Sequence, residues 1–320
     1  MMAFLPLYDS ESWMLKKETN RRIAAQKGGF SFTHRQKLLI YIGFMKQKKT
    51  VYYNDPLNDD FAPSNGKIKT KPLPEKFKWV RKNPIWKFFA LLLYYIIAIP
   101  FTWLFIKIAY DAKLVGKKKL GHRDLNGCFI YGNHTQNADA IFYQSLLMAP
   151  RKTYVVCSQE TVNIPGIRWL VMMLGGIPIP KTVEETKKFV DCIAYRHKRG
   201  DGIVIFPEAH IWPYATVIRP FPDSSFTYPV KHNAPVLGAC VTYRERKIFR
   251  FMPPRVLIHV SDVYYPDTSL PYKEQMSKLR DQVYEFMVNT ASSLDNCEYV
   301  RYVRRTKEKD EDSKAEENNL

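Results

Sequence analysis

Cys128-Phe129-Ile130-Tyr131-Gly132-Asn133-His134-Thr135-Gln136-Asn137-Ala138-Asp139 is the stretch whose reading decides the fold. Cys128 to Tyr131 is a short apolar run, the pattern of a buried strand, and Ala140 to Met148 reads as a helix. A histidine and a carboxylate therefore sit where a strand ends and a helix begins, where α/β layered domains place their working groups. Five helical positions turn through about 500°, which leaves His134 and Asp139 roughly 140° apart if both were helical. They can meet only if His134 lies in the loop and Asp139 on the first turn, where the positive end of the helix also favours a carboxylate.

Further strands and helices alternate outward from this point. Thr153 to Ser158 reads as a strand, Gly166 to Leu174 as an apolar helix, and Gly175 to Lys181 as a turn leading into a short extended piece. The clearest helix follows: Thr182 and Glu185 have the spacing of a capping box, Val183, Thr186, Val190, Ile193 and His197 recur on one face, and Gly200 supplies the stop. His197 reads as a core histidine rather than a catalyst. Ile203 to Phe206 is a strand that runs into Pro207-Glu208-Ala209-His210, and Pro235 to Tyr243, Lys247 to Met252 and Arg255 to Val260 are strand candidates. Tyr272 to Leu294 is an amphipathic helix with Met276, Leu279, Val283, Phe286 and Met287 on one face. The alternation predicts an α/β fold, a mixed sheet flanked by helices, over residues 113–305.

Upstream, Phe88 to Ile106 carries no formal charge over nineteen residues. As a helix it spans about 28 Å, close to the roughly 30 Å of a bilayer core. Pro100 is expected to kink or break a helix there, which leaves either one membrane span or a hairpin dipping into one leaflet, broken near Pro100, over residues 81–112. Lysines and arginines flank the run on both sides, so charge alone sets no orientation; a hairpin would keep both flanks on the cytoplasmic side. Residues 1–80 form a basic N-terminal extension, with ten Lys or Arg against two acids between residues 11 and 49 and loop composition from Asn54 to Pro74. Residues 306–320 form an acidic tail expected to be disordered.

The chain has 49 Lys+Arg against 31 Asp+Glu, a net charge of +18, which implies an anionic partner. Because the charge gathers before residue 50 and around the apolar run, a membrane surface fits it and a nucleic-acid partner does not. Cys128, Cys157, Cys192, Cys240 and Cys297 are odd in number and never in a C-x-x-C pair, so they read as core residues in a reducing compartment.

Two strand-end motifs, one with His134 and Asp139 and one with Glu208, suit acyl transfer to an alcohol, a poor nucleophile that needs a general base. The stretch Asn133-His134 with Asp139 resembles the N-H-x-x-x-x-D signature of the glycerolipid acyltransferases, among them the 1-acyl-glycerol-3-phosphate acyltransferases. Phe206-Pro207-Glu208 resembles the start of that family's F-P-E-G-T-R block, Gly176 to Lys181 its G-x-x-x-x-R block, and Ala234-Pro235-Val236 its V-P-[IV] block. The resemblance covers roughly residues 85 to 260 and implies a membrane-seated helical element before the α/β domain. It implies His134 as the base that deprotonates an acceptor hydroxyl, Asp139 as its orienter, Lys181 as a phosphate contact and Glu208 as part of the acceptor site. An acyl-CoA or acyl carrier protein thioester would be the donor, a lysophospholipid or glycerol phosphate the acceptor, with neither a cofactor nor a metal required. Ala209, His210 and Ile211 stand where the family has Gly-Thr-Arg, and Lys181 stands for arginine; His210 or Arg219 is the candidate to compensate. Two alternatives remain on the residues alone: a membrane-binding protein that keeps the fold without catalysis, and a metal-dependent hydrolase built on His134, Asp139, Glu208 and His210.

Overall fold

The computed structural model describes residues 49–62, 72–120, 125–164, 166–250, 252–293 and 295–305, so the basic segment before Lys49 and the acidic stretch after Arg305 lie outside the described residues. In chain order the elements are β1 (Lys49–Tyr53), α1 (Pro84–Tyr110), β2 (Lys113–Val115), β3 (Phe129–Gly132), α2 (Asp139–Phe142, continued by a π-turn to Leu147) and β4 (Thr153–Cys157). There follow α3 (Gln159–Asn163), α4 (Arg168–Met173), β5 (Gly176–Pro178), α5 (Val183–Lys198), β6 (Gly202–Ile205) and α6 (Thr227–His232). The chain ends with β7 (Val236–Arg244), β8 (Arg255–Tyr264), α7 (Tyr272–Ala291) and β9 (Val300–Arg304).

A seven-stranded sheet in the order β2-β8-β7-β3-β6-β4-β5 forms the frame, parallel except where β7 meets β8. Successive side chains of a strand point to opposite faces, and the two cores follow that alternation. Phe129, Tyr131, Ile203 and Ile205 face a core closed by Phe189 and Ile193 of α5 and by Leu279, Val283 and Met287 of α7. Ile130, Val204, Ala239 and Val241 face the other core, closed by Ile106 of α1 and by Phe142 and Tyr143 of the α2 segment. The central strands are buried on both faces, which is why they read as continuous apolar runs.

Four expectations are corrected by this fold. Lys247 to Met252 is not a strand: β7 and β8 pair up to Arg244 opposite Arg255, so the apolar stretch is the loop of their hairpin, with Ile248 and Phe249 exposed. The buried face of α5 is Phe189, Cys192 and Ile193, which join the core of Phe129 and Ile203, while Val183 is 83% exposed and outside that core. Lys49 to Tyr53, inside the stretch read as an N-terminal extension, is a strand that runs parallel to β9. Finally, α1 is helical throughout from Pro84 to Tyr110 and does not break at Pro100. Proline lacks an N–H and its ring crowds the carbonyl four residues earlier. Here Leu93 to Ala98 forms a π-turn, with Ile99 N–H reaching Tyr94 O, and the widened coil absorbs that crowding just before Pro100.

Along its length α1 lies against the α2 side of the domain. Thr153 N–H donates to Tyr94 Oη (3.2 Å), Thr102 Oγ1 lies 2.6 Å from Ser145 Oγ, and Tyr110 packs edge-on to Phe142. Ala90, Tyr94 and Ile106 are buried on this side, whereas Ile85, Phe88, Phe89, Leu92, Ile96, Ile97, Phe101, Trp103, Leu104 and Ile108 are exposed on the other. Arg246 Nη2 donates to Ala109 O, which satisfies a carbonyl at the helix end and fixes α1 to the β7–β8 loop.

Candidate active site

The site is built at the carboxyl ends of β3 and β6, neighbours in the sheet. Gly132 closes β3, and a Cβ there would fall 2.4 Å from Tyr143 Oη, so glycine lets the Tyr143 ring pass directly beneath the motif. Asn133 then ties the departing chain to β7, its Oδ1 accepting Val241 N–H (2.8 Å) and its Nδ2 donating to Val241 O (3.0 Å). The side chain thus takes over the ladder pairing that the backbone has left.

His134 lies in the loop and Asp139 opens α2, the arrangement their spacing requires. His134 Nδ1 is 3.0 Å from Asp139 Oδ2, and the same oxygen accepts the backbone N–H groups of Thr135 (2.7 Å) and Gln136 (2.8 Å). Three donors on one oxygen fix the carboxylate, while Oδ1 is buried without a hydrogen-bond partner. Burial pushes the Asp139 carboxyl above its ordinary range, opposed by the His134 bond and charge and by the two amides. The tautomer consistent with this geometry carries its proton on Nδ1 and leaves Nε2 as the proton acceptor. The imidazole stacks on Phe206, with ring centroids 4.1 Å apart and planes 11° from parallel.

Glu208 joins the second motif to the first. Its Oε2 accepts His134 N–H (3.2 Å) and Arg219 Nη2–H (3.1 Å), and its Oε1 accepts Arg219 N–H (2.9 Å). Arg219 Nη2 also donates to His210 O, and its guanidinium stands 4.8 Å over the Trp212 ring. Both charges are buried, with 3% and 2% of their side-chain surfaces exposed, so this pair locks the loop that cradles His134. Trp212 N–H and Tyr214 N–H close the cradle from above by donating to His134 O and Thr135 O, both at 3.1 Å.

Ala209, where the resemblance has glycine, sits at φ +64°, the left-handed conformation that glycine adopts without strain. The chain keeps the turn although it lacks the residue. Of the six expected site residues, the fold brings together His134, Asp139, Glu208 and Arg219. His210 contributes its carbonyl, while its ring turns outward to Asp60, with Nδ1 3.6 Å from Oδ2. Lys181 follows the edge strand β5, and three strand spacings put it about 14 Å from the line of β3. Its ammonium is half exposed, 3.6 Å from Glu160. The four side chains of the hydrolase alternative do not converge, and among the described residues no three His, Cys, Asp or Glu side chains are grouped to hold a metal ion. Trp212 and Tyr243 are supporting residues missing from the sequence reading, in which Asn133 and Phe206 figure only as motif positions; Tyr243 Oη donates to Thr135 Oγ1 at 2.7 Å.

A strand-end imidazole with one nitrogen held by a buried carboxylate is the geometry that a general base acting on a substrate's own nucleophile would need. Residues 115–242, from the end of β2 into β7, match the family model described as Acyltransferase. Within the α/β domain, those residues are therefore similar to an acyltransferase domain. Among solved structures, the 1-acyl-sn-glycerophosphate (LPA) acyltransferase PlsC from Thermotoga maritima is similar at 20% identity over 67% of this chain and 83% of its own, with a TM-score of 0.46. No curated protein matches the sequence.

Proposed function

We propose that this acyltransferase works at a membrane surface, moving an acyl chain from a thioester, acyl-CoA or acyl carrier protein, to the hydroxyl of a lysophospholipid or glycerol phosphate in phospholipid synthesis. The observation that carries the chemistry is the 3.0 Å contact between His134 Nδ1 and Asp139 Oδ2, which commits Nε2 to the substrate. Nε2 takes the proton of the acceptor hydroxyl as its oxygen attacks the thioester carbonyl. The tetrahedral intermediate then collapses, the carbon–sulfur bond breaks, and the thiolate leaves with the proton from the imidazolium. Asp139 stabilises the transient cation and holds the tautomer. Glu208 has both oxygens engaged, so its role is to position the His134 backbone, and Arg219 neutralises it. Phe206 sets the plane of the imidazole.

Lys181 and His210 are the basic groups left for the acceptor's polar end. Membrane attachment falls to α1. Its exposed aliphatic and aromatic side chains would each gain roughly 1.5–3 kcal/mol on leaving water. Because the opposite face is packed on the domain from Tyr94 to Ala109, the helix lies along the membrane with its outer face in one leaflet, on the cytoplasmic side. Turnover of acyl-CoA and of acyl carrier protein thioesters by the detergent-solubilised chain, with lysophospholipids, glycerol 3-phosphate and unphosphorylated alcohols compared as acceptors, tests the reading. Transfer to a lysophospholipid supports it, and hydrolysis without transfer to any acceptor sinks it.

A further inference from the structure

At the opposite, amino-terminal ends of β4 and β6, a second group of charges has no part in this chemistry. Lys152 precedes β4, Asp201 precedes β6, and Arg196 and Arg199 end or follow α5. Two arginines pair with one carboxylate at ion-pair distance but without a hydrogen bond, Arg196 Nη1 at 3.8 Å and Arg199 Nε at 3.6 Å from Asp201 Oδ2, which has no hydrogen-bond partner, and Lys152 adds a third cation to its field. Lys152 is buried with only the Met173 carbonyl (3.1 Å) as acceptor, and Arg196 Nε is buried with none. Buried ionic groups are normally paired and hydrogen-bonded, so this cluster has donors and about two positive charges to spare.

Its surroundings point to the missing anion. The Lys152 ammonium stands 4.6 Å over the ring of Tyr94, which belongs to the membrane-facing helix α1, and the Arg196 guanidinium 3.9 Å over Tyr154. Lys82, just ahead of α1, reaches the Tyr195 ring at 5.9 Å, and Arg199 Nη1 donates to the Tyr195 hydroxyl. Exposed Leu91, Leu92 and Ile96 flank Tyr94 on the helix. Basic and aromatic groups therefore meet an apolar surface at one border, the arrangement that receives a charged headgroup above acyl chains.

We propose that Lys152, Arg196 and Arg199 form a binding site for the phosphate of an anionic phospholipid, separate from the acyl-transfer site and seating the domain on an anionic membrane. The proposal rests on α1 being the membrane-facing element. Burial and the Arg196 charge lower the Lys152 ammonium to about 8, the direction in which a bound phosphate would restore it.

The full chain is co-sedimented with vesicles of pure phosphatidylcholine and with vesicles containing about one fifth phosphatidylglycerol, where each basic group at the surface contributes about five-fold in affinity. The wild-type chain is expected to favour the anionic vesicles by about ten-fold or more, and Arg196→Gln/Arg199→Gln to weaken binding to them by about ten-fold or more, toward the neutral-vesicle level, while binding neutral vesicles as before. Arg199→Gln alone, at a side chain 44% exposed, keeps its fold and shows part of the loss. Lys187→Gln/Lys231→Gln, two exposed lysines elsewhere, keeps the full preference. Retention of the preference by the Arg196/Arg199 variant overturns the site. Stabilisation by inorganic phosphate equal to that by anionic vesicles at matched phosphate overturns the assignment to lipid. Failure to bind either vesicle overturns the membrane role of α1 itself.

Discussion

Asp139→Asn is the perturbation that separates charge from geometry at the His134–Asp139 pair. All three hydrogen bonds to the side chain fall on Oδ2, from His134 Nδ1 and from the amides of Thr135 and Gln136. Two backbone N–H groups at that corner require an oxygen there, so the asparagine keeps its carbonyl facing His134 and preserves the imidazole tautomer. Its NH2 then occupies the place of Oδ1, which is buried and has no partner, and an unsatisfied buried donor costs about 1–3 kcal/mol of stability. What catalysis loses is the charge facing the imidazolium. At about 4 Å and an effective dielectric of about 20, that charge is worth about 4 kcal/mol, close to a thousand-fold in rate. The assay is steady-state acyl transfer by folded, melting-matched protein, with kcat expected to fall by about a thousand-fold and KM to change little. A kcat within about three-fold of wild type would refute the role given to Asp139, because no structural loss would mask it.

Other sites give independent tests. Arg219→Met leaves Glu208 buried with two amide donors and no counter-charge, and denaturant unfolding should show a loss of about 3–5 kcal/mol. Ala209→Gly relieves a left-handed alanine and should raise stability by up to about 1 kcal/mol, visible as a higher melting temperature with activity kept. Lys152→Met tests the buried ammonium. With the native group near 8 and the unfolded one near 10.5, the unfolded chain holds more protons between those values, so wild-type stability rises with pH across that window. The gain amounts to about 3 kcal/mol, and the methionine variant should lack it in urea titrations at pH about 7 and about 10.

Much of the fold was legible because its strands are short apolar runs and its long helices are amphipathic. The strands β3, β4, β6 and β7 and the helix α7 lie within a residue or a few of their expected positions. The errors share a cause: each depended on what lay across from the segment. Lys247 to Met252 has the composition of a strand, but the β7–β8 register makes it a hairpin loop. The stripe on α5 shifted because Phe189 and Cys192 join the core while Val183 stays exposed. The kink or break expected at Pro100 does not interrupt the helix, because a local rule cannot see the π-turn that accommodates the proline. At the site, the His134–Asp139 pairing was permitted by their spacing and implied by the family resemblance. Its supports were not: Phe206, Trp212 and the Glu208–Arg219 lock are contacts between segments 70 to 85 residues apart in sequence or across a loop, and no periodicity announces them.

The most direct test of the central claim is acyl transfer by His134→Ala alongside the wild-type chain, with vesicle binding measured on the same samples. Since α1 and the domain core do not depend on the imidazole, vesicle binding should be unchanged while turnover falls by about a thousand-fold or more. Turnover that survives the loss of this side chain would contradict the assignment of His134 as the base.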